Sequence, residues 1–183
     1  FSGFEQINLG SERDGSANGD IADHDYNISL SNTNAPNPNL PVGSGILTID
    51  GSALSGTFDG GFTSPETMIV NGTIVSTYRL NLIGVDNGGD TLTSGTLNDT
   101  IMSGGGSDII NLVAGNNTVD AGSGSDNITL GTGNDSVFGN SGFDTFTILS
   151  ANWNMNDTLD GGTGNDVLIG GNDTDGGDVL RGG

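Results

Sequence analysis

From Gly88 to Phe146 the chain reads GGDTLTSGTLNDTIMSGGGSDIINLVAGNNTVDAGSGSDNITLGTGNDSVFGNSGFDTF. An acid or its amide recurs every nine residues, at Asp90, Asp99, Asp108, Asn117, Asp126, Asp135 and Asp144. Two residues after each stands an apolar side chain: Leu92, Ile101, Ile110, Val119, Ile128, Val137 and Phe146. Gly-rich turns precede most of them, best formed at Gly104-Gly105-Gly106-Ser107-Asp108 and Gly131-Thr132-Gly133-Asn134-Asp135. A fixed period of this kind dictates a stacked-repeat architecture before any other reading. A disordered linker has no reason to keep an aliphatic residue in phase with an acid.

Six residues of turn and three of strand make half a flattened coil, so each coil takes 18 residues and successive coils stack about 4.8 Å apart. Turns on one edge then lie 18 residues apart. Asp90, Asp108, Asp126 and Asp144 line the first edge, and Asp99, Asn117 and Asp135 the second. Residues 147–156 interrupt the period, because Asp144 and Asp157 are 13 apart rather than nine. Regular spacing resumes with Asp157 on the second edge and Asp166 on the first. Near Gly176-Gly177 three acids crowd together, Asp173, Asp175 and Asp178, and the spacing leaves their register open; Asp178 is the candidate carried forward.

The chain has 183 residues and a formal charge of −20, from 23 acidic residues against three basic ones. That balance argues against nucleic acid or an anionic membrane as partner, and for a cation. The acids are mostly Asp, and Asp among Gly and Asn builds turns rather than helices. Carboxylates stacked about 5 Å apart repel by about 3 kcal/mol per pair at an effective dielectric near 20. Two buried aliphatics per coil are a thin core to set against that, so the stack predicts a divalent ion between successive turns. Asp carboxylates and turn carbonyls are hard oxygens in a flexible cage, which suits Ca²⁺ better than Mg²⁺. With no Cys and a single His, the donor sets of zinc are missing.

The pattern resembles the RTX (repeats-in-toxin, hemolysin-type) nonapeptide Gly-Gly-x-Gly-x-Asp-x-aliphatic-x. Gly161-Gly162-Thr163-Gly164-Asn165-Asp166-Val167-Leu168-Ile169 matches it at every position, and the turns ending at Asp108, Asp126 and Asp135 match closely. The turns at Asp90, Asp99 and Asp157 lack some of the glycines, and Asn117 replaces the carboxylate. The resemblance covers about half of the chain. It implies an all-β, right-handed parallel β-roll stacked on several Ca²⁺ ions held by the aspartates and turn main-chain oxygens. By position the carbonyls implicated are those of Gly104, Gly106, Gly122, Gly124, Gly131, Gly133, Gly162 and Gly164. The Asn117 rung, one charge poorer, is expected to bind Ca²⁺ more weakly.

Residues 1–86 form a second region, β-rich but irregular, beside the roll at 87–183. Apolar or alternating runs at Phe4–Leu9, Tyr26–Leu30, Gly45–Ile49, Met68–Val75 and Tyr78–Val85 are separated by Gly, Asn, Pro and Ser. Their centres, Ile7, Ile28, Ile49 and Ile69, fall about one coil length apart. This predicts irregular coils of the same solenoid, with loops such as 31–41 pushed outward; a small β-sandwich is the alternative. Within it, residues 14–25 resemble a calcium loop of EF-hand type, with Asp14, Ser16, Asn18, Asp20 and Asp25 as candidate ligands. Ser16 stands for an acid there, Asp25 for the usual Glu, and no flanking helices are expected, so a solvated acidic loop is an equal reading. His24 has no nucleophile or metal partner in sequence and reads as a surface residue. Trp153 reads as packing against the interrupted coil; an exposed sugar-stacking aromatic, with Phe143, is the alternative.

No apolar run is long enough to cross a bilayer as a helix. The chain begins at Phe1 without an initiator Met and ends at Arg181-Gly182-Gly183, which reads as a segment of a longer polypeptide. With no catalytic constellation, the reading is a non-enzymatic calcium-binding structural module of a secreted bacterial surface or matrix protein: an S-layer, adhesin or filament. Exported by type I secretion, it would fold in calcium outside the cell. Self-association, neighbouring domains and surface polysaccharide are the partners considered. The alternatives are a folding and secretion appendage of a protease, lipase or epimerase, and a carbohydrate-binding module.

Overall fold

The computed structural model describes residues 6–8, 26–29, 45–50, 68–71, 78–84, 88–149, 155–169 and 177–183. The loops at 14–25 and 31–41, and Trp153, lie outside these. The described residues contain strands and turns and no helix. Two parallel sheets face one another. One contains β1 (Gln6–Asn8), β3 (Gly45–Asp50), β5 (Tyr78–Ile83), β7 (Thr100–Met102), β9 (Thr118–Asp120), β12 (Ser136–Phe138), β15 (Thr158–Asp160) and β18 (Val179–Arg181), in that spatial order. The other contains β2 (Tyr26–Ser29), β4 (Met68–Asn71), β6 (Thr91–Thr93), β8 (Ile109–Asn111), β11 (Asn127–Leu130), β14 (Thr145–Ile148) and β17 (Val167–Ile169). The chain alternates between the sheets, which makes a β-solenoid. A third, narrow sheet, β10 (Ser123–Gly124), β13 (Ser141–Gly142) and β16 (Thr163–Gly164), runs through the turns of the first edge.

Strand alternation builds the core. A three-residue strand directs its middle side chain to one face and its flanks to the other, as in the exposed–buried–exposed run of Thr100-Ile101-Met102. Rows of aliphatics follow from parallel register. Leu82, Ile101, Val119, Val137 and Leu159 pair in succession along the first sheet, and Leu92, Ile110, Ile128 and Phe146 along the second. All nine are fully buried.

Register also measures the coils. From Ile101 to Val119, and from there to Val137, the step is the expected 18 residues. Between Val137 and Leu159 it is 22, so the four extra residues fall between Ile148 and Thr158. In the N-terminal half the strands join the same two sheets, and here one expectation needs correcting. Ile7 pairs with Ile49 and Ile28 with Val70. The spacing of Ile7, Ile28, Ile49 and Ile69 is therefore that of half-coils in alternate sheets, not of whole coils. Each of these half-coils takes about as much chain as a whole coil does further on.

Candidate metal centre

Each recurrent acid closes a turn and immediately precedes a strand. Positions i and i+2 of an extended chain share a face, so Asp90 lies on the same side as Leu92, and Asp126 as Ile128. The carboxylates are thereby drawn inside: every rung from Asp90 to Asp157, Asn117 included, is 2% exposed or less.

Once inside, they form ladders. On the first edge the N–H groups of Asp90, Asp108, Asp126 and Asp144 donate to Oδ1 of Asp108, Asp126, Asp144 and Asp166 at 2.8–3.0 Å. On the second edge the N–H groups of Leu80, Asp99, Asn117, Asp135 and Asp157 donate to Oδ1 of Asp99, Asn117, Asp135, Asp157 and Asp178 at 2.7–2.9 Å. The candidates thus fall on the two edges expected, across the interrupted coil as well. Asp178 fills the position that spacing left open.

One oxygen of each carboxylate from Asp99 onward is engaged in this way, and Asp99 Oδ2 also accepts the Gly95 N–H at 2.7 Å. The other, Oδ2, is buried without any donor in Asp108, Asp126, Asp135, Asp144 and Asp166. A buried anion with half its lone pairs unmatched costs several kcal/mol. Burial accordingly raises the carboxyl groups, to about 6 in Asp99 and about 7 in Asp126, where Asp108 and Asp144 add repulsion of like charge. Asp108, Asp135 and Asp144 are raised by burial as well.

The glycines set the stacking distance. Gly124 has φ +137°, and a Cβ there would stand 1.4 Å from the Gly106 carbonyl oxygen of the coil beneath. Gly104, Gly106, Gly122, Gly133, Gly162 and Gly164 share positive φ values. Gly131 does not, but a Cβ there would meet Leu112 O and Val113 O at 2.4 Å. The Gly104 and Gly122 carbonyls accept from Ser123 and Ser141 N–H of the next coil, at 2.9 and 3.1 Å.

Among the described residues no three His, Asp or Glu side chains gather at one point. A cation here would have to take carboxylates from the ladder and complete its shell with main-chain carbonyls. Orphaned hard oxygens beside carbonyl-rich turns fit calcium, which accepts six to eight such ligands in irregular geometry.

Three sets of residues were not anticipated. Ser103 Oγ donates to Ala121 O at 2.7 Å, and Ser94 Oγ accepts Val113 N–H at 2.9 Å. Outside the second ladder, Asn98, Asn116 and Asn134 accept the N–H groups of Asn116, Asn134 and Asn156 at 2.8–3.0 Å. The signal was an Asn directly before each rung of that edge from Asp99 to Asp157, and before one of the first-edge acids, Asp166. Asp14, Ser16, Asn18, Asp20 and Asp25 lie outside the described residues.

A parallel β-solenoid with buried carboxylate ladders at its turns defines a calcium-binding repeat protein. Residues 85–119, 113–146 and 154–183 match the model of the RTX calcium-binding nonapeptide repeat, about half of the chain, and the chain belongs to that family. No curated protein and no solved structure gives a match.

Proposed function

We propose that residues 87–183 are a calcium-triggered folding module of a secreted bacterial surface or matrix protein, structural rather than catalytic. The observation that carries this reading is the set of buried, donorless Oδ2 atoms. Asp90, Asp108, Asp126, Asp144 and Asp166 would hold ions on the first edge, and Asp99, Asp135, Asp157 and Asp178 on the second. The turn carbonyls of Gly104, Gly106, Gly122, Gly124, Gly131, Gly133, Gly162 and Gly164 would complete the shells. When bound, calcium supplies the positive charge that makes stacked carboxylates attractive instead of repulsive.

Binding energy then becomes folding energy. A chain of this kind stays open where calcium is scarce, as type I export requires, and closes outside the cell, where calcium is plentiful. The boundary near residue 86 marks where tight Gly turns begin, with the preceding coils serving as an extension that does not need the ions. The test is circular dichroism during a calcium titration. β signal should appear cooperatively with calcium and vanish with chelator; signal indifferent to both would defeat the proposal.

A further inference from the structure

The second ladder changes chemistry at one rung. Asn117 is buried, and its neighbours fix which way its amide points. Oδ1 accepts the Asp99 N–H at 2.9 Å, a role only an oxygen can fill. Nδ2 therefore faces the opposite side. It donates to Asp135 Oδ1 at 3.0 Å and reaches the carbonyls of Gly115 and Ala114 at 3.2 and 3.4 Å. A carboxylate from the adjoining coil and carbonyls of the turn are the oxygen types calcium would gather.

We infer that the Asn117 amide stands in for a cation between the Asn117 and Asp135 turns, and that this rung closes without calcium. The inference rests on the proposed reading of the other rungs as calcium sites. Asp135 Oδ1 already accepts both the Asn117 N–H and the amide, which leaves Oδ2 alone for any ion. The same junction is crossed a second time by a neutral contact, from Asn134 N–H to Asn116 Oδ1 at 3.0 Å. At the corresponding place on the first edge stand Gly89, Ser107, Ser125 and Phe143, with an Asn only at the last rung, Asn165. The edges are therefore unequal. The first depends on ions at every rung, and the second carries an amide latch near its middle.

Asn117→Asp tests this by restoring the carboxylate. Native mass spectrometry with graded calcium should count one more ion per chain in the variant than in the original. Equal counts would overturn the inference and leave the proposed function standing; no uptake by either chain would overturn both. Should the variant not fold, the original chain decides the matter. In the calcium-saturated protein the Asn117 side-chain amide protons should exchange at least about tenfold more slowly than those of a solvated Asn. Exchange at the solvated rate would show that the amide is not held between the turns.

Discussion

Replacing Gly124 by Ala tests the tight stacking of the turns. The added Cβ would lie 1.4 Å from Gly106 O and 2.5 Å from its carbonyl carbon, where ordinary contact begins near 3.4 Å. The two turns must part by about 2 Å, almost half the spacing between strands. Two hydrogen bonds across the gap go with it: Gly106 N–H to Ser123 O at 2.8 Å and Ser123 N–H to Gly104 O at 2.9 Å. Strain at positive φ costs about 1–3 kcal/mol, and the two bonds about 1 kcal/mol each, so the loss is about 3–5 kcal/mol. Where folding takes up about four ions together, that penalty divides among them and moves the calcium midpoint upward about fivefold. Far-ultraviolet circular dichroism against calcium concentration measures the shift. Gly182→Ala is the matched control, since a Cβ there meets nothing within 4 Å. A Gly124→Ala midpoint within about twofold of the control would refute the stacking argument.

Asp126→Ala removes the acceptor of the buried Asp108 N–H and one rung of the first edge; the orphaned donor alone costs about 1–3 kcal/mol. Equilibrium dialysis should show at least one fewer calcium bound, and an unchanged count would remove Asp126 from the ligand set. Phe146→Ala empties the largest fully buried side chain of the core and should cost about 3–5 kcal/mol in the calcium-loaded form, read from thermal unfolding. Acidity acts in opposite directions with and without metal. Asp99 and Asp126 are raised to about 6 and about 7 when folded, so each favours the metal-free fold below about pH 4 and loses that contribution as pH rises through its folded value. In calcium-free buffer, β signal should therefore grow between pH 7.5 and 4.5, while the calcium needed for folding rises over the same interval through proton competition. A metal-free signal that fell on acidification would contradict the burial of these groups.

The ladders were legible because the repeat is enforced at three places in every nine residues: a glycine that must be glycine, an acid, and an aliphatic two positions on. Asp157 and Asp166 could be placed across the interruption because both neighbouring turns keep that grammar. Asp178 could not, since three acids compete there; the bond from Asp157 N–H and the pairing of Thr158 with Val179 choose among them. The sheet to which each N-terminal strand belongs was illegible for a related reason. Strands at Ile7 and Ile28 carry no turn signal that tells one sheet from the other, so a half-coil and a whole coil of similar length look alike. The direction of the Asn117 amide was invisible in sequence, because charge counting treats Asn as a missing carboxylate. Its second face, a donor, acts only once Asp99 has claimed the oxygen.

The step from Val137 to Leu159 has a consequence for how such a molecule can change. Four residues more than the regular step enter between Ile148 and Thr158, yet Phe146 still pairs with Leu168 and Asp135 N–H still finds Asp157. The fold counts rungs and not residues, and lengthening a connection costs closure entropy only logarithmically. Evolution, or an engineer, can therefore graft peptide of another purpose at that junction, and the stack on either side keeps its place.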